Sequence, residues 1–464
     1  MQQAELASMI IPWSAMPDMD RQPTPVPTAA AIAALLAPTP GRGPTVAFRR
    51  DQVRAAVARL AAARAAIACY LPRHLVARER AARTADPWLE WIEGALLVAD
   101  VSGSTALAEQ LSALGHEGSE IVTATLNSYF ATMIGVITRT GGDLLGFGGD
   151  ALLVLFTGPD HARTATAAAM ALLHELDGFE RSVPGVGRFP LTLHIGVEAG
   201  PLALVSAGPA HARRYSVMGA TVSRVARAED LGGAGELVLG PRAWAAVAAV
   251  ADGQPLAAGF VRVHRLRHAP PPVPPSHRAR VALPTSRAAA ARLARQVTRL
   301  SAYLPSTLLS RVLADPARPR VEADLRPVTV LFAQVAGLGP LIEGLPPGEA
   351  AAAVDAVFSP LQAAVEHFGG FVNKLDLAEE GDKLMAVFGA PIAFEDHAER
   401  AARAALAMQG ALAAPRALDH GQPGVGHALR LRIGLNTGNV FAGNVGTAER
   451  KEYTVMGDAV NVAA

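Results

Sequence analysis

The chain has 464 residues and a mass of 48.1 kDa, room for two to four domains at roughly 100 to 200 residues each. Its 42 Lys and Arg against 41 Asp and Glu leave a formal charge of +1, which excludes a global field that would gather nucleic acid, membrane surface or acidic partners. A single cysteine, Cys69, excludes an intrachain disulfide framework and any multi-cysteine zinc or iron-sulfur centre, and fits a reducing, cytoplasmic compartment.

The N-terminal MQQAELASMIIPW has neither the basic flank nor the apolar length of a signal peptide. Eight prolines from Pro12 to Pro44 predict a disordered leader over residues 1–50. Apolar windows such as AAAIAALLA at 29–37 fall short of the roughly 20 residues a membrane-spanning helix needs. An Ala-rich helical lead-in is expected over 51–93, with Cys69 as a small buried apolar residue.

LLVAD at 96–100 then has strand composition, and an Ala/Leu-rich helical stretch follows it. GGDLLGFGGDALLVLF at 141–156 reads as two short strands joined by a tight Gly-Gly-Asp turn. An Ala-rich helix at 161–177, the strand LTLHIGVEAG and a glycine-bounded helix start complete the order β, α, β, β, α, β of a ferredoxin-like α+β core. Residues 262–300 carry nine Arg and no acid, without interleaved aromatics, and read as a solvated linker plus an amphipathic helix docking on an acidic face. His264, His268 and His277 in that stretch lack metal-ligand spacing. APPPVPPS at 269–276 has the composition of a polyproline spacer.

The unit occurs twice. CYLPRHLV (69–76) matches AYLPSTLL (302–309), LLVADVSGSTALAEQL (96–111) matches VLFAQVAGLGPLIEGL (330–345), HIGVEAGPL (194–202) matches RIGLNTGNV (432–440), and YSVMGATVSRVA (215–226) matches YTVMGDAVNVAA (453–464). The first copy continues for 41 residues past Arg227, whereas the second stops at Ala464, so it is expected to be cut off inside a helix.

Asp100 ends a buried strand before Val-Ser-Gly-Ser-Thr, and Asp150 occupies the hairpin turn. Two carboxylates on adjacent strand ends can share hard divalent cations, with the loop amides of Ser102 to Thr105 open to phosphate oxygens. The same residue types also serve as an N-cap and a turn-former. His194 and Arg432, at matching strand positions, suit packing or salt bridges, and Asp382, without a partner acid at Gln334, suits a turn. Rossmann and P-loop glycine patterns are absent, and Ala151 stands where the GGDEF turn needs its Glu.

LVADVSGSTAL, GGDLLGFGGDALLVLF and YSVMGATVSRVAR in the first copy, with LFAQVAGLGPL, GGFVNKLDLAEEGDKLMAVFGAP and YTVMGDAVNVAA in the second, resemble the motifs of the class III nucleotidyl cyclases. The fused copies, the insertion between Lys374 and Asp382 and the FGAP ending look most like the soluble, bicarbonate-regulated adenylyl cyclases and their bacterial relatives. The resemblance implies two ferredoxin-like catalytic domains in a pseudo-twofold pair, the second incomplete. The expected layout is a first cyclase domain at 94–268 supplying metal ligands, a linker at 269–285, a helical lead-in at 286–320 and a second domain at 321–464 reading the base.

It also implies two Mg²⁺ or Mn²⁺ ions on Asp100, Val101 and Asp150, and substrate contacts from Ser102, Gly103, Ser104 and Thr105. Lys374 would donate to adenine N1, Thr454 accept from the N6 amino group, and Asn461 orient the ribose. The substrate implied is ATP, the products 3′,5′-cyclic AMP and pyrophosphate for intracellular signalling. Arg227 and Gln334 would belong to a degenerate second site, with Gly146 in place of the Lys that a bicarbonate pocket would need. The family's transition-state Arg falls just after Ala464, and relatives often continue into an ATPase and helical-repeat region. The alternative from another class is a non-catalytic sensor and dimerisation module, suggested by Gln334, Gly146 and Ser223. Neither nucleic acid nor a membrane is expected as a partner.

Overall fold

The computed structural model describes residues 50–82, 84–103, 107, 110–111, 116–183, 186–268, 286–316, 324–342, 344–376, 382–413 and 429–464. Apart from Arg50, the expected leader lies outside them, as do the proline-rich linker, Ser104, Thr105 and His277. Two helices come first, α1 (Arg50–Ala68) and α2 (Arg73–Ala81). A first sheet-forming unit follows: β1 (Trp88–Ser102), α3 (His116–Arg139), β2 (Asp143–Gly148), β3 (Ala151–Phe156), α4 (His161–Glu175), the small hairpin β4 (Glu180–Val183) and β5 (Gly187–Pro190), and β6 (Thr192–Ala207). It continues through β7 (Arg214–Met218), α5 (Ala220–Asp230), β8 (Leu237–Leu239), α6 (Pro241–Val247), β9 (Ala251–Pro255) and β10 (Val261–Leu266).

The second half repeats the pattern with α7 (Arg287–Ser301), α8 (Ser306–Ala314), β11 (Asp324–Ala336), α9 (Leu338–Ile342), α10 (Pro347–His367), β12 (Phe371–Asp376), β13 (Asp382–Phe388), α11 (His397–Ala413), β14 (Arg430–Gly446), β15 (Lys451–Met456) and α12 (Asp458–Ala463). The strand order β2-β3-β1-β6 in the first sheet and β12-β13-β11-β14 in the second is that of a mixed α+β, ferredoxin-like core, and all of these neighbours are antiparallel.

Side-chain alternation puts the two faces of β1 into different cores. Leu97, Ala99 and Val101 pack with Phe130 of α3 and Leu172 of α4, whereas Leu96 packs with Val222 and Val225 of α5. Before each hairpin a glycine sits against an aromatic ring: a Cβ on Gly142 would lie 2.7 Å from Phe156, and one on Gly370 would lie 2.5 Å from Phe388. The paired glycines of the two GG motifs therefore make room for the ring that closes each core.

The helices before each sheet pack on one another through Leu60, Ala63 and Ile67 of α1 and Leu293, Val297 and Leu300 of α7. The expected acidic docking face reduces to one acid: Arg299 of α7 lies 3.9 Å from Glu79 of α2, while the rest of α7 meets an apolar stripe flanked by Arg64 and Arg80. The start of the Arg-rich stretch, inside the 94–268 segment, is strand rather than solvated chain. Arg262 lies on β10 and reaches Glu236 at 2.9 Å, and Val261 and Val263 are buried. The buried carboxylate of Glu79 on α2 accepts from Trp88 Nε1 (3.1 Å) and the Tyr303 hydroxyl (2.8 Å), tying both sets of helices to β1. No helix among the described residues is long and apolar enough to cross a membrane.

The two sheets meet at β2. Arg450, beside β15, donates from Nε to the Leu144 carbonyl (3.0 Å) and from Nη2 to the Leu145 carbonyl (3.0 Å). The Phe147 amide donates to Glu452 Oε2 (3.2 Å), and Lys374 Nζ donates to the Phe147 carbonyl (2.9 Å). Arg450 is only 8% exposed, and burial lowers its pKa, yet its guanidinium fork spans two adjacent carbonyls in a way an ammonium cannot. Arg450→Ala, which strands those carbonyls, is expected to destabilise the protein by about 3 kcal/mol, and Arg450→Lys to recover less than half of that. Urea unfolding followed by tryptophan fluorescence reads this, and an unchanged midpoint would show that water substitutes for the guanidinium.

Candidate active site

Asp100 lies near the C-terminal end of β1, on the face covered by α5, directly opposite His194 of β6 in the antiparallel register. Cross-strand partners project to the same side, so the imidazole is brought against the carboxylate by register alone. His194 Nε2 lies 3.4 Å from Asp100 Oδ2, and Nδ1 lies 3.1 Å from Ser102 Oγ. Asp150 occupies the turn between β2 and β3, and its side chain is within hydrogen-bonding reach of Asp100. The Val101 amide also donates to Asp100.

The third member came from neither motif nor spacing. Glu229, in the last turn of α5, places Oε1 2.5 Å from His194 Nε2. A Cβ on Gly196 would lie 2.5 Å from the Glu229 amide nitrogen and 2.6 Å from the Val225 carbonyl, so only glycine lets α5 press this closely on β6. Burial, then the neighbouring Asp150, pushes the Asp100 pKa up to about 6 against the pull of His194. Burial likewise raises Glu229 to about 7, with His194 opposing and Asp100 reinforcing the rise. Two half-buried carboxyls within hydrogen-bonding reach, Asp100 and Asp150, suit a divalent cation between them.

A cleft of about 450 Å³ opens between the two sheets. Its walls include Gly146 to Gly149 of the first hairpin, Tyr215 and Ser216 of β7, Asn373 and Lys374 of β12, and Tyr453 and Asn461 from the second unit. The structure thus brings Lys374 and Asn461 together with the hairpin that carries Asp150. It does not bring Thr454 there. Tyr453 and Val455 alternate toward the cleft and the helical core, so the intervening Thr454 points the other way, its hydroxyl buried without a partner beside Asn127 and Met456.

A different polar side chain lines the cleft. The pairing of β12 with β13 shifts between Val372 and Lys374, a bulge that lets adjacent Asn373 and Lys374 line the same cavity. Asn373 Nδ2 donates to the Tyr453 carbonyl (3.2 Å), which fixes the amide and leaves Oδ1 buried with no partner. A sequence signal for it existed only as the residue beside Lys374. Ser102 and Gly103 stand at the end of β1, while Arg227 is exposed on α5 and Gln334 is half-buried opposite Arg432. Neither of the last two lines the cleft. Asp382 begins β13, opposite Val335, rather than forming a turn.

The sequence profile of the adenylate and guanylate cyclase catalytic domain matches residues 93–250 and 321–464. The chain belongs to this family. Adenylate cyclase type 10 of Oryctolagus cuniculus is 24% identical over 411 residues, covering 82% of this chain and 24% of the relative. Adenylate cyclase 1 of Rhizobium meliloti is 32% identical over 163 residues, covering 35% of this chain and 24% of the relative. The chain therefore spans about a quarter of the length of these curated relatives. A solved class III adenylyl cyclase-like ATP-binding protein from Pseudomonas aeruginosa superposes with a TM-score of 0.55 at 15% identity over 81% of both chains, which shows the fold.

The raised carboxyls of this cyclase-family site have a sign that can be checked. Unfolded, Asp100 and Glu229 titrate near 3.8 and 4.5; folded, they hold their protons to about 6 and about 7. The folded state binds the extra protons, so in metal-free protein their contribution to stability is present at low pH and is lost as pH rises through these values. Glu229→Gln is expected to flatten that decline. Thermal midpoints of wild type and variant in chelator between about pH 4.5 and 8 test it, and parallel curves would sink the assignment.

Proposed function

We propose that the protein is an adenylate cyclase that converts ATP to 3′,5′-cyclic AMP and pyrophosphate, its two cyclase units pairing in pseudo-twofold fashion within one chain. The observation that carries this reading is the contact of Lys374, from the second unit, with the Phe147 carbonyl at 2.9 Å, on the hairpin whose turn holds Asp150. A base-reading cation of one unit thus reaches the hairpin of the other, whose turn residues Gly148 and Gly149 line the same cleft beside Asp150.

Asp100 and Asp150, with Val101 beside them, would hold two Mg²⁺ or Mn²⁺ ions, which when bound supply charge neutralisation for the triphosphate and acidify the ribose 3′-OH. The backbone at Ser102 and Gly103 lies where phosphate oxygens would follow. Lys374 donates to adenine N1, exchanging its carbonyl partner for the base, and Asn373 Oδ1 accepts from the N6 amino group in place of Thr454. Guanine presents N1–H and O6 in the opposite sense, so this pair favours ATP. Asn461 orients the ribose for in-line attack of O3′ on the α-phosphorus. The 3′-oxygen forms the new ester bond, its proton passes to solvent, and the bond to the β-phosphate bridging oxygen breaks to release pyrophosphate. The support for a pseudo-twofold pair is the reciprocity of contacts, since β2 meets β15 while β12 meets β7, where Ser216 Oγ donates to the Leu375 carbonyl at 3.3 Å.

Mass-spectrometric product analysis of the full-length protein with ATP or GTP and Mg²⁺ or Mn²⁺ tests the reaction. Asp100→Asn is expected to lower turnover by about 10²-fold or more while leaving the fold intact. Cyclic product at wild-type rate from that variant would overturn the metal assignment. Absence of any cyclic product from a folded, nucleotide-binding wild type would favour a regulatory module instead. For base choice, Asn373→Ala should reduce kcat/KM for ATP by about tenfold or more, and Lys374→Glu should relax the preference for ATP over GTP. Competing-substrate assays read both, and unchanged ratios would remove these residues from base recognition.

A further inference from the structure

We propose that Asp100, His194 and Glu229 form a binding site for a transition-metal dication of the Zn²⁺ or Mn²⁺ class, which needs no nucleotide to assemble. The three ligand atoms lie within 4.8 Å of one another. His194 Nε2 is the hub, 3.4 Å from Asp100 Oδ2 and 2.5 Å from Glu229 Oε1. An ion at the usual 2.0 to 2.2 Å from each ligand fits once the His194–Glu229 contact opens by roughly 0.5 Å for octahedral ligand angles or roughly 0.9 Å for tetrahedral ones.

Three features single this cluster out from an ordinary ion pair. The imidazole is held from behind: Nδ1 lies 3.1 Å from Ser102 Oγ, which can accept its N–H, so that a metal displacing the Nε2 proton would meet a lone pair aimed between the two carboxylates, the arrangement that a metal-ligating histidine needs. The charge is unbalanced, since two carboxylates share one imidazole that supplies at most a single positive charge. The side chains are partly covered, at 29%, 18% and 16% exposure for Asp100, His194 and Glu229, so an ion can enter without full hydration. In the second unit the first two positions are Gln334 and Arg432, paired in the same register, and an arginine cannot ligate a cation.

One nitrogen and two oxygens form a borderline donor set that favours Zn²⁺ or Mn²⁺ over Mg²⁺, which prefers oxygen and retains its water. The site shares Asp100 with the proposed nucleotide-bound ions. An ion held by His194 and Glu229 therefore draws Asp100 from Asp150, and Zn²⁺ is expected to inhibit product formation. That consequence rests on the cyclase reading, whereas the binding itself does not.

Titration of nucleotide-free full-length protein with Co²⁺, followed by visible absorption, tests the site. The expected result is one saturable band at one ion per chain, displaced by Zn²⁺ but not by Mg²⁺. His194→Gln and Glu229→Gln, each confirmed as folded by circular dichroism and thermal unfolding, should weaken binding by more than about tenfold, and Asp150→Asn by less. No saturable band, a band unmoved in both folded variants, or loss in Asp150→Asn alone would overturn the proposal. Should both variants unfold, pulsed EPR of the Mn²⁺-loaded wild type decides, because an imidazole nitrogen coupling supports the site and its absence rejects it.

Discussion

The architecture depends on what holds β2 in place. This six-residue strand is the edge of the first sheet, and an edge strand exposes backbone groups that would otherwise need water or an unrelated chain. Here the second unit satisfies them: Arg450 takes two carbonyls, Glu452 takes the Phe147 amide and Lys374 takes the Phe147 carbonyl. The cyclase-family hairpin is thus positioned as much by its neighbour as by its own sheet. Each of these bonds involves a charged group in a place of restricted water, where such bonds are strong and their loss leaves costly unpaired partners.

The two halves share a fold but differ in electrostatics. Around the ends of β1 and β6 the first unit gathers Asp100, Asp150 and Glu229 about one histidine. The corresponding strands of the second carry Gln334 and Arg432, with Lys383 beside them on β13. Burial raises the proton affinity of Asp100 and Glu229, and that frustration is what a cation would relieve. The second cluster offers no such need. Differences at a few strand-end residues thus separate the two sheets in charge without altering the order of strands.

Much of this was legible from the residues. The hairpin, its Gly-Gly-Asp turn and the strand ending in Asp100 follow from apolar runs bounded by glycine. What escaped detection did so for identifiable reasons. Glu229 is distant in sequence from Asp100, and only the close approach permitted at Gly196 delivers it. Thr454 was placed by motif register, which gives its position along β15 but not its facing, and alternation turns it away from the cleft. Asn373 escaped because a bulge, invisible in composition, puts two consecutive side chains on one surface. The arginines of 262–267 concealed β10, whose buried Val261 and Val263 are spaced as a strand requires.

Asp143, the first residue of β2, joins the hairpin to the helices before the sheet. Its two carboxylate oxygens accept the Arg73 and His74 amides at 2.8 and 2.7 Å, closing the open N-terminal turn of α2. The other end of that helix is anchored through Glu79 to Tyr303 and Trp88. α2 therefore behaves as a strut with both ends pinned, one to the strand leading into Asp150 and the other to the helices preceding the second sheet. Any displacement of those helices must either break two charge-assisted bonds or carry β2 with it, so the seating of the helices and the position of the strand that leads to Asp150 are a single mechanical variable.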